Sequence, residues 1–290
     1  MSAFILHDHY FDPESGRISS YFCRLFILVG QESLQYCILD TEKNTFIALA
    51  DYRLPVQAKS QEIYYDQLDK LLGDEEKLVK KYSSVVIGLD SQWHTLVPLS
   101  LFDPGQVLKY LEFNFSLPEN CLVGFDQVSE IDASNIFGYS SGLKDVFSRH
   151  YPEAAFVHRS SALLKAVREY SQVDLDQPAL YLNSREQYID LACFDGKDPV
   201  FFNSFPCRTK EDVLYFTLYA IEQMKLRPDA VRLIVSGMAE PGSDVYRLLE
   251  QYIRTVPMAG WLDSLSYCPL IKQLPANRYQ ELFALALCGS

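Results

Sequence analysis

The chain has 290 residues, 48% of them apolar, and a formal net charge of −12. That length suits about two domains, and the apolar share fills a core for each. The acidity excludes a broad nucleic-acid or anionic-membrane surface, since both are bound through Lys and Arg set against phosphates, and no run reaches the roughly 18 apolar residues of a spanning helix. The start carries Asp8, Asp12 and Glu14 with no apolar core behind Met1, so it does not read as a signal peptide, and the expected compartment is the cytoplasm.

In chain order, residues 22–29 are apolar enough for an interior strand, and Gly30-Gln31-Glu32-Ser33 turns it. Residues 34–39 return as a second strand and 45–54 make a third, giving an antiparallel meander. The spacing of Ile63, Leu68, Leu71, Leu72, Leu78 and Val79 predicts a helix over 61–82 with a break near Gly73. The β-branched run 84–89 predicts a covered strand, Asp90-Ser91-Gln92 a turn, and 93–99 another strand. Asp103, followed by Pro104, caps a helix that runs to 113. Strands at 122–128 and 136–139 belong to a small subdomain inserted at about 100–150, and the helix 141–150 is halted by Pro152. A short strand at Phe156 and Val157 leads into a helix capped by Ser160 or Ser161 and running to Tyr170. The polar stretch 171–177 ends it and divides the chain into a first lobe, 1–172, and a second, 173–290.

The plan then returns. Strands are expected at 180–182, 188–194 and 200–205, with turns at 183–186 and at Asp195-Gly196. A helix with an apolar stripe follows at 210–225, then a buried strand at 231–235 that ends in Ser236-Gly237. Helices at 243–255 and 279–287 complete the chain. The order strand, strand, strand, helix, strand therefore occurs twice, with its meanders at 25–55 and 179–206.

Seven cysteines form no CxxC pair and read as reduced, buried thiols acting as small hydrophobes. His7 and His9 would share one strand face, but no third ligand cluster is visible in the sequence, and a mobile acidic N-terminus accounts for the run. His94, His150 and His158 are dispersed and lack a nucleophile elbow. Most of the 19 Tyr and 18 Phe read as core and cleft wall. Tyr64-Tyr65, Tyr110-Phe113-Phe115, Phe201-Phe202 and Tyr215-Phe216-Tyr219 are prominent, and an unspecified subset stays open to a second reading as an interface patch.

On this doubled plan, the runs LFILVGQESLQYCILD, RHYPEAAFVHRSSALLKAVREY and RLIVSGMAEPGSDVYRLLEQYI, with the terminal FALALCGS, resemble the actin-like ATPase superfamily of actin, Hsp70 and the sugar kinases. The look is nearest to bacterial cell-division and type IV pilus assembly members. More narrowly, the chain is similar to a bacterial family, found mainly in Bacteroidetes, that is actin-like in fold and has no assigned function. The resemblance spans nearly the whole chain and implies an α/β fold of two RNase H-like lobes.

The resemblance also implies a nucleotide cleft. At two hairpins the family has an Asp followed two residues later by Gly; the Asp holds Mg²⁺ or its waters and the Gly lets backbone N–H groups reach phosphate. Laid over this chain, those positions are Leu28 and Gly30, then Leu182 and Ser184, so both carboxylates are missing. Glu32 and Glu186 recur at matching places and read as solvated turn residues rather than displaced metal ligands. At the third turn Ser236-Gly237-Met238 replaces a Gly-Gly against which adenosine lies, and Met238 adds bulk. Asp90 stands near where the kinases carry a catalytic base, although an Asp is as natural there without chemistry. The candidate cleft positions are thus Gly30, Gln31, Ser184, Ser236 and Gly237. The leading expectation is a degenerate, non-catalytic binding or scaffold module that takes a protein partner or a small ligand through its cleft or inserted subdomain, with no catalytic residue, metal or cofactor. The alternative is an ATP-dependent kinase or ATPase holding Mg²⁺ on Asp90, Asp190 or Glu186, and a third reading is a polymerising or membrane-complex scaffold.

Overall fold

A computed structural model describes residues 2–13, 18–54, 60–170, 179–195, 198–254 and 256–288. The chain forms two compact units: Met1–Ala162 with Ser264–Gln273 and Leu282–Ser290, and Leu163–Asp263 with Leu274–Glu281. The boundary stretch 171–177 and the turn residue Gly196 lie outside the described residues.

In the first unit the meander is β2 (Cys23–Val29), β3 (Ser33–Asp40) and β4 (Thr45–Arg53). Leu25, Phe26 and Ile27 are all fully buried, which is why this run lacks the polar alternation of a one-sided strand. Residues 5–11, expected to be mobile, are instead an edge strand, β1 (Ile5–Phe11), paired antiparallel to β4 with an irregularity between Leu6 and Asp8. Its His and Asp content hides it from a search for apolar alternation but suits an edge, where polar side chains discourage further pairing. After α1 (Gln61–Asp74) come β5 (Ser84–Leu89), parallel to β2, and, after the insertion, β9 (Ala155–His158), parallel to β5. The sheet order is β1-β4-β3-β2-β5-β9, with β14 (Ser266–Tyr267) also on β4.

Helix α1 stops eight residues before the expected 82 because Glu75 leaves the helical conformation. The Glu75 carboxylate accepts the buried hydroxyls of Tyr36 (3.0 Å) and Tyr52 (2.6 Å), and its carbonyl accepts Leu78 N–H (2.9 Å), so the chain is pinned to the sheet at that point. Burial, followed by the Glu75 charge, holds the Tyr36 phenol far above its ordinary range, and that keeps it a donor.

The insertion is a three-stranded sheet, β6 (His94–Pro98), β8 (Ala133–Ser140) and β7 (Cys121–Val128) in that order, around Val97, Leu111 and Ile136. Asp103 caps a 3-10 turn, Pro104–Gln106, by accepting Gly105 N–H at 2.8 Å, and α2 itself is Val107–Glu112. After α3 (Ser141–His150), α4 (Arg159–Tyr170) starts earlier than expected. Ser160 and Ser161 therefore lie inside its first turn and do not cap it.

The second unit repeats the order with β10 (Ala179–Ser184), β11 (Tyr188–Asp195), β12 (Asp198–Pro206), α5 (Lys210–Gln223) and β13 (Arg232–Gly237), in the sheet β12-β11-β10-β13. Leu180, Leu182, Leu233 and Val235 face a core shared with α5 residues Val213 and Ile221. The alternate residues Tyr181, Asn183, Ile234 and Ser236 face the other way, as a period of two requires. Helices α6 (Asp244–Tyr252) and α7 (Gln280–Ala284) follow.

Candidate functional site

Matching hydrogen bonds align the two copies residue by residue. In the first, Gly30 N–H closes the hairpin on Ser33 O (2.9 Å) and Asp90 N–H reaches Val29 O (3.0 Å); in the second, Arg185 N–H closes on Tyr188 O (2.9 Å) and Met238 N–H reaches Ser184 O (2.8 Å). Val29 thus corresponds to Ser184, Gly30 to Arg185 and Leu28 to Asn183. The sequence overlay placed the second Asp position on Leu182 and its Gly position on Ser184. The register moves both one residue on, to Asn183 and Arg185, because β10 runs one residue further before it turns.

Cross-strand pairing then defines one row in each unit: Gly88, Leu28, Gln35 and Asp51 in the first, and Ser236, Asn183, Asp190 and Ser204 in the second. The second row is a continuous chain of hydrogen bonds. Ser236 Oγ donates to Asn183 Oδ1 (3.0 Å), Asn183 Nδ2 donates to Asp190 Oδ2 (3.3 Å), and Ser204 Oγ donates to Asp190 Oδ1 (2.5 Å). Arg185 spans the same carboxylate, Nε to Oδ2 at 3.2 Å and Nη2 to Oδ1 at 3.3 Å. Asp190 is 1% exposed, so this pairing offsets the cost of burying its charge. In the first row Asp51 is fully buried and takes Gln35 Nε2 (3.2 Å) and Arg53 Nη2 (3.0 Å) on Oδ2. Arg53 Nε lies 2.9 Å from Asp51 Oδ1, near enough for an ion pair but off the line of a hydrogen bond. His7 and Asp8 bring ligand atoms within 4.8 Å of Asp51, so the third group that the sequence did not show is present; the Arg53 charge already answers that carboxylate.

Of the expected positions, Ser184, Ser236 and Gly237 come together at the ends of β10 and β13. Gly237 has φ +81°, and its N–H donates to Asn277 O at 2.8 Å. Gly30 and Gln31 sit in the first unit's hairpin, where Gly30 O accepts the Tyr64 hydroxyl at 2.5 Å. Burial, with lesser contributions from Tyr65 and Asp90, holds the Tyr64 phenol above its ordinary range. A pocket inside the second unit is lined by Tyr170, Tyr181, Asn183, Asp190, Ser236 and Gln280 among others; at about 10 Å³ it has room for one water molecule and none for a nucleoside.

Asp90 does not stand free as a base: its Oδ1 takes Arg159 Nε at 2.8 Å, and Arg159 is 1% exposed. Beside it lies a network the sequence did not reveal. His158 Nε2–H donates to Ser91 O (2.9 Å), while its Nδ1 accepts Ser160 N–H (3.2 Å) and lies 2.6 Å from Ser160 Oγ. Asn135 Nδ2 donates to the hydroxyls of Ser160 and Ser161 (2.9 Å each), and Ser161 donates to Asp126 at 2.6 Å. The His94 and His158 rings lie tilted against each other with centroids 4.4 Å apart, so two of the three dispersed histidines meet. A serine beside an imidazole resembles a nucleophile with its base, but Asn135, His158, Ser160 and Ser161 are all fully buried. The group ties β8 of the insertion to the start of α4.

The chain matches a family described as a protein of unknown function, DUF3822, over residues 13–256. No curated protein matches it. Among solved structures, a Bacteroides thetaiotaomicron protein with an actin-like ATPase fold and unknown function is similar at 22% identity over 93% of this chain and 97% of its own, with a TM-score of 0.79. A chain of the PilM–PilN type IV pilus biogenesis complex is similar at 12% identity over 91% of this chain and 97% of its own, with a TM-score of 0.61. The fold is therefore the actin-like ATPase fold that the sequence resemblance implied. No helix among the described residues is long and apolar enough to cross a membrane.

Proposed function

The chain belongs to the DUF3822 family, whose function is unknown, and on that premise we propose that it is a non-catalytic actin-like module that binds a protein partner. The observation that carries this reading is the continuous polar row of the second unit. Mg²⁺ requires carboxylate oxygens open to it and its waters, and both oxygens of Asp190 are engaged by Ser204, Arg185 and Asn183. The hairpin positions where the fold's ATPases place acids are Leu28 and Asn183, and Arg185 puts a long side chain where a glycine would let the backbone approach phosphate. Gly30, Gln31, Ser184, Ser236 and Gly237 are then remnants of a nucleotide site, and the two compact units are the two lobes. Binding of a protein is supported by the similar chain described in complex, PilM with PilN. The bacterial cytoplasm, where seven cysteines without a CxxC pair stay reduced, is the proposed compartment.

Isothermal titration of the full chain with Mg-ATP, paired with a phosphate-release assay, tests the reading. The expected result is neither heat nor phosphate at millimolar nucleotide. Micromolar binding together with turnover would overturn it in favour of the kinase or ATPase alternative.

A further inference from the structure

We propose that the inserted subdomain docks a basic amphipathic segment of a protein partner on an aromatic patch formed by Leu101, Phe102, Tyr110, Phe113 and Phe125. This rests on the reading of the chain as a protein-binding module and gives that module a surface. Phe113 is 90% exposed and Leu101 70%, and Phe125 is also exposed. None of the three fills the subdomain core, which is built on Val97, Leu111 and Ile136. Large exposed apolar groups gathered in one place mark interaction sites rather than chance.

The patch is held in shape before anything binds. The Phe102 ring lies 5.0 Å from Phe125 and 6.4 Å from Tyr110. The Tyr110 hydroxyl donates to Leu101 O (2.7 Å) and accepts Asp103 N–H (3.1 Å), fixing the 3-10 turn Leu99–Leu101 to α2. Phe113 follows Tyr110 by three residues, which puts both on one side of the helix end. Ordered aromatics lose little entropy on binding and are the residue type that dominates interface energies.

Charge identifies the occupant. Between residues 99 and 132 the exposed acids are Asp103, Glu112, Glu119, Glu130 and Asp132, against the single exposed base Lys109. Asp103 and Glu112 adjoin patch residues in sequence, as Lys109 does beside Tyr110, and Asp132 O accepts Leu99 N–H (2.8 Å), so Asp132 borders the same turn and acids outnumber the base around the patch. An apolar centre with an acidic rim is complementary to a segment carrying Lys or Arg around apolar anchors. Anionic lipid would be repelled, and a second copy of this chain would set acid against acid.

The test uses the full chain and a fluorescein-labelled Lys/Leu amphipathic helical peptide as probe, read by anisotropy. Expected are saturable binding that weakens with salt and a loss of about tenfold or more in the double variant Leu101→Ser/Phe113→Ser. Both positions are exposed, so the variant should melt like the parent. Tyr215→Ser, at an exposed aromatic of the second unit, is the control and should bind as the parent does. In parallel, a photo-crosslinking amino acid at position 113, expressed in the native host, should attach to a basic, apolar segment of a partner. Unchanged binding by the double variant, an equal loss in Tyr215→Ser, or crosslinking that fails or lands on an acidic segment or a second copy overturns the proposal. Mg-ATP turnover would overturn the non-catalytic reading without altering these outcomes, so the two failures are distinguishable.

Discussion

Replacing Gly237 with Ala should damage the second unit far more than the same change at Gly242, although both glycines have nearly the same backbone, φ +81° and +79°. At either site an L side chain in the left-handed region costs about 1–2 kcal/mol, offset in part by the lower entropy of the unfolded chain. Around Gly242 nothing lies within 4 Å of the added Cβ, so that cost is the whole effect. At Gly237 the Cβ would stand 2.1 Å from Ser184 O, 2.8 Å from Asn183 Oδ1 and 2.9 Å from Ser184 N. Relief requires β13 to move off β10, stretching the 2.8 Å bonds Met238 N–H to Ser184 O and Gly237 N–H to Asn277 O. Crowding of this kind adds about 1–3 kcal/mol, and each weakened hydrogen bond about 1 kcal/mol. Gly237→Ala should therefore cost about 3–5 kcal/mol more than Gly242→Ala. With two units a single unfolding energy is not defined, so the readout is the urea midpoint of Trp261 fluorescence, which reports the second unit, in a Trp93→Phe background. Equal midpoints for the two variants would refute the reasoning.

Asp90→Ala leaves the buried Arg159 guanidinium short of a carboxylate and should lower stability by about 3 kcal/mol; an unchanged melting temperature counts against the pairing and reopens a catalytic Asp90. Thr209 and Asp212 form a reciprocal cap on α5, so Thr209→Ala should cost about 1 kcal/mol in a thermal melt, and no change would contradict the cap. Backbone N–H groups of Arg208 and Thr209, then the Thr209 hydroxyl, hold the Asp212 carboxyl below its ordinary range. The stabilisation it gives is present above the ordinary carboxylate pKa and fades as pH falls through the lowered one, so Asp212→Asn should flatten the acid limb of a melting-temperature profile, and an unaltered limb argues otherwise. Burial first, with Asp40 and Glu42 adding, pushes the Cys23 thiol up to about 11, and burial with Asp212 does the same to Cys207. Burial raises the Cys121 thiol as well, but as the one cysteine that is partly exposed it should carry the fast thiol titre of the native chain at pH 8, a titre that vanishes in Cys121→Ser; a fast reaction at Cys23 would be inconsistent with this core.

The meanders, their following helices and the covered strands were legible because runs such as Leu25 to Ile27 and Leu233 to Val235 can only be interior. Register was not. Whether β10 turns after Leu182 or after Ser184 depends on which backbone groups meet across the hairpin, and a slip of one residue exchanged Leu182 for Asn183. The end of α1 was hidden because the two hydroxyls that fix Glu75 come from Tyr36 and Tyr52, strands away in sequence. The network of Asn135, His158, Ser160 and Ser161 joins groups as much as 26 residues apart, and locally the serine pair looks like an ordinary helix start.

The division of the chain has a consequence for its birth on the ribosome. Segments 264–273 and 282–288 are made after the strands of the second unit, yet they belong to the unit whose strands come earlier in the chain. Phe283 stacks edge-on against Phe46 with ring centroids 4.9 Å apart, and Leu285 occupies the space that a side chain at Gly88 would need. Until those segments are made, Phe46 and the open face of the first sheet wait without their lid, while the later unit has its own strands in hand. The earlier half thus waits on residues that follow the later half's strands, and a nascent chain stalled before Phe283 would offer that greasy face to whatever chaperone is nearest.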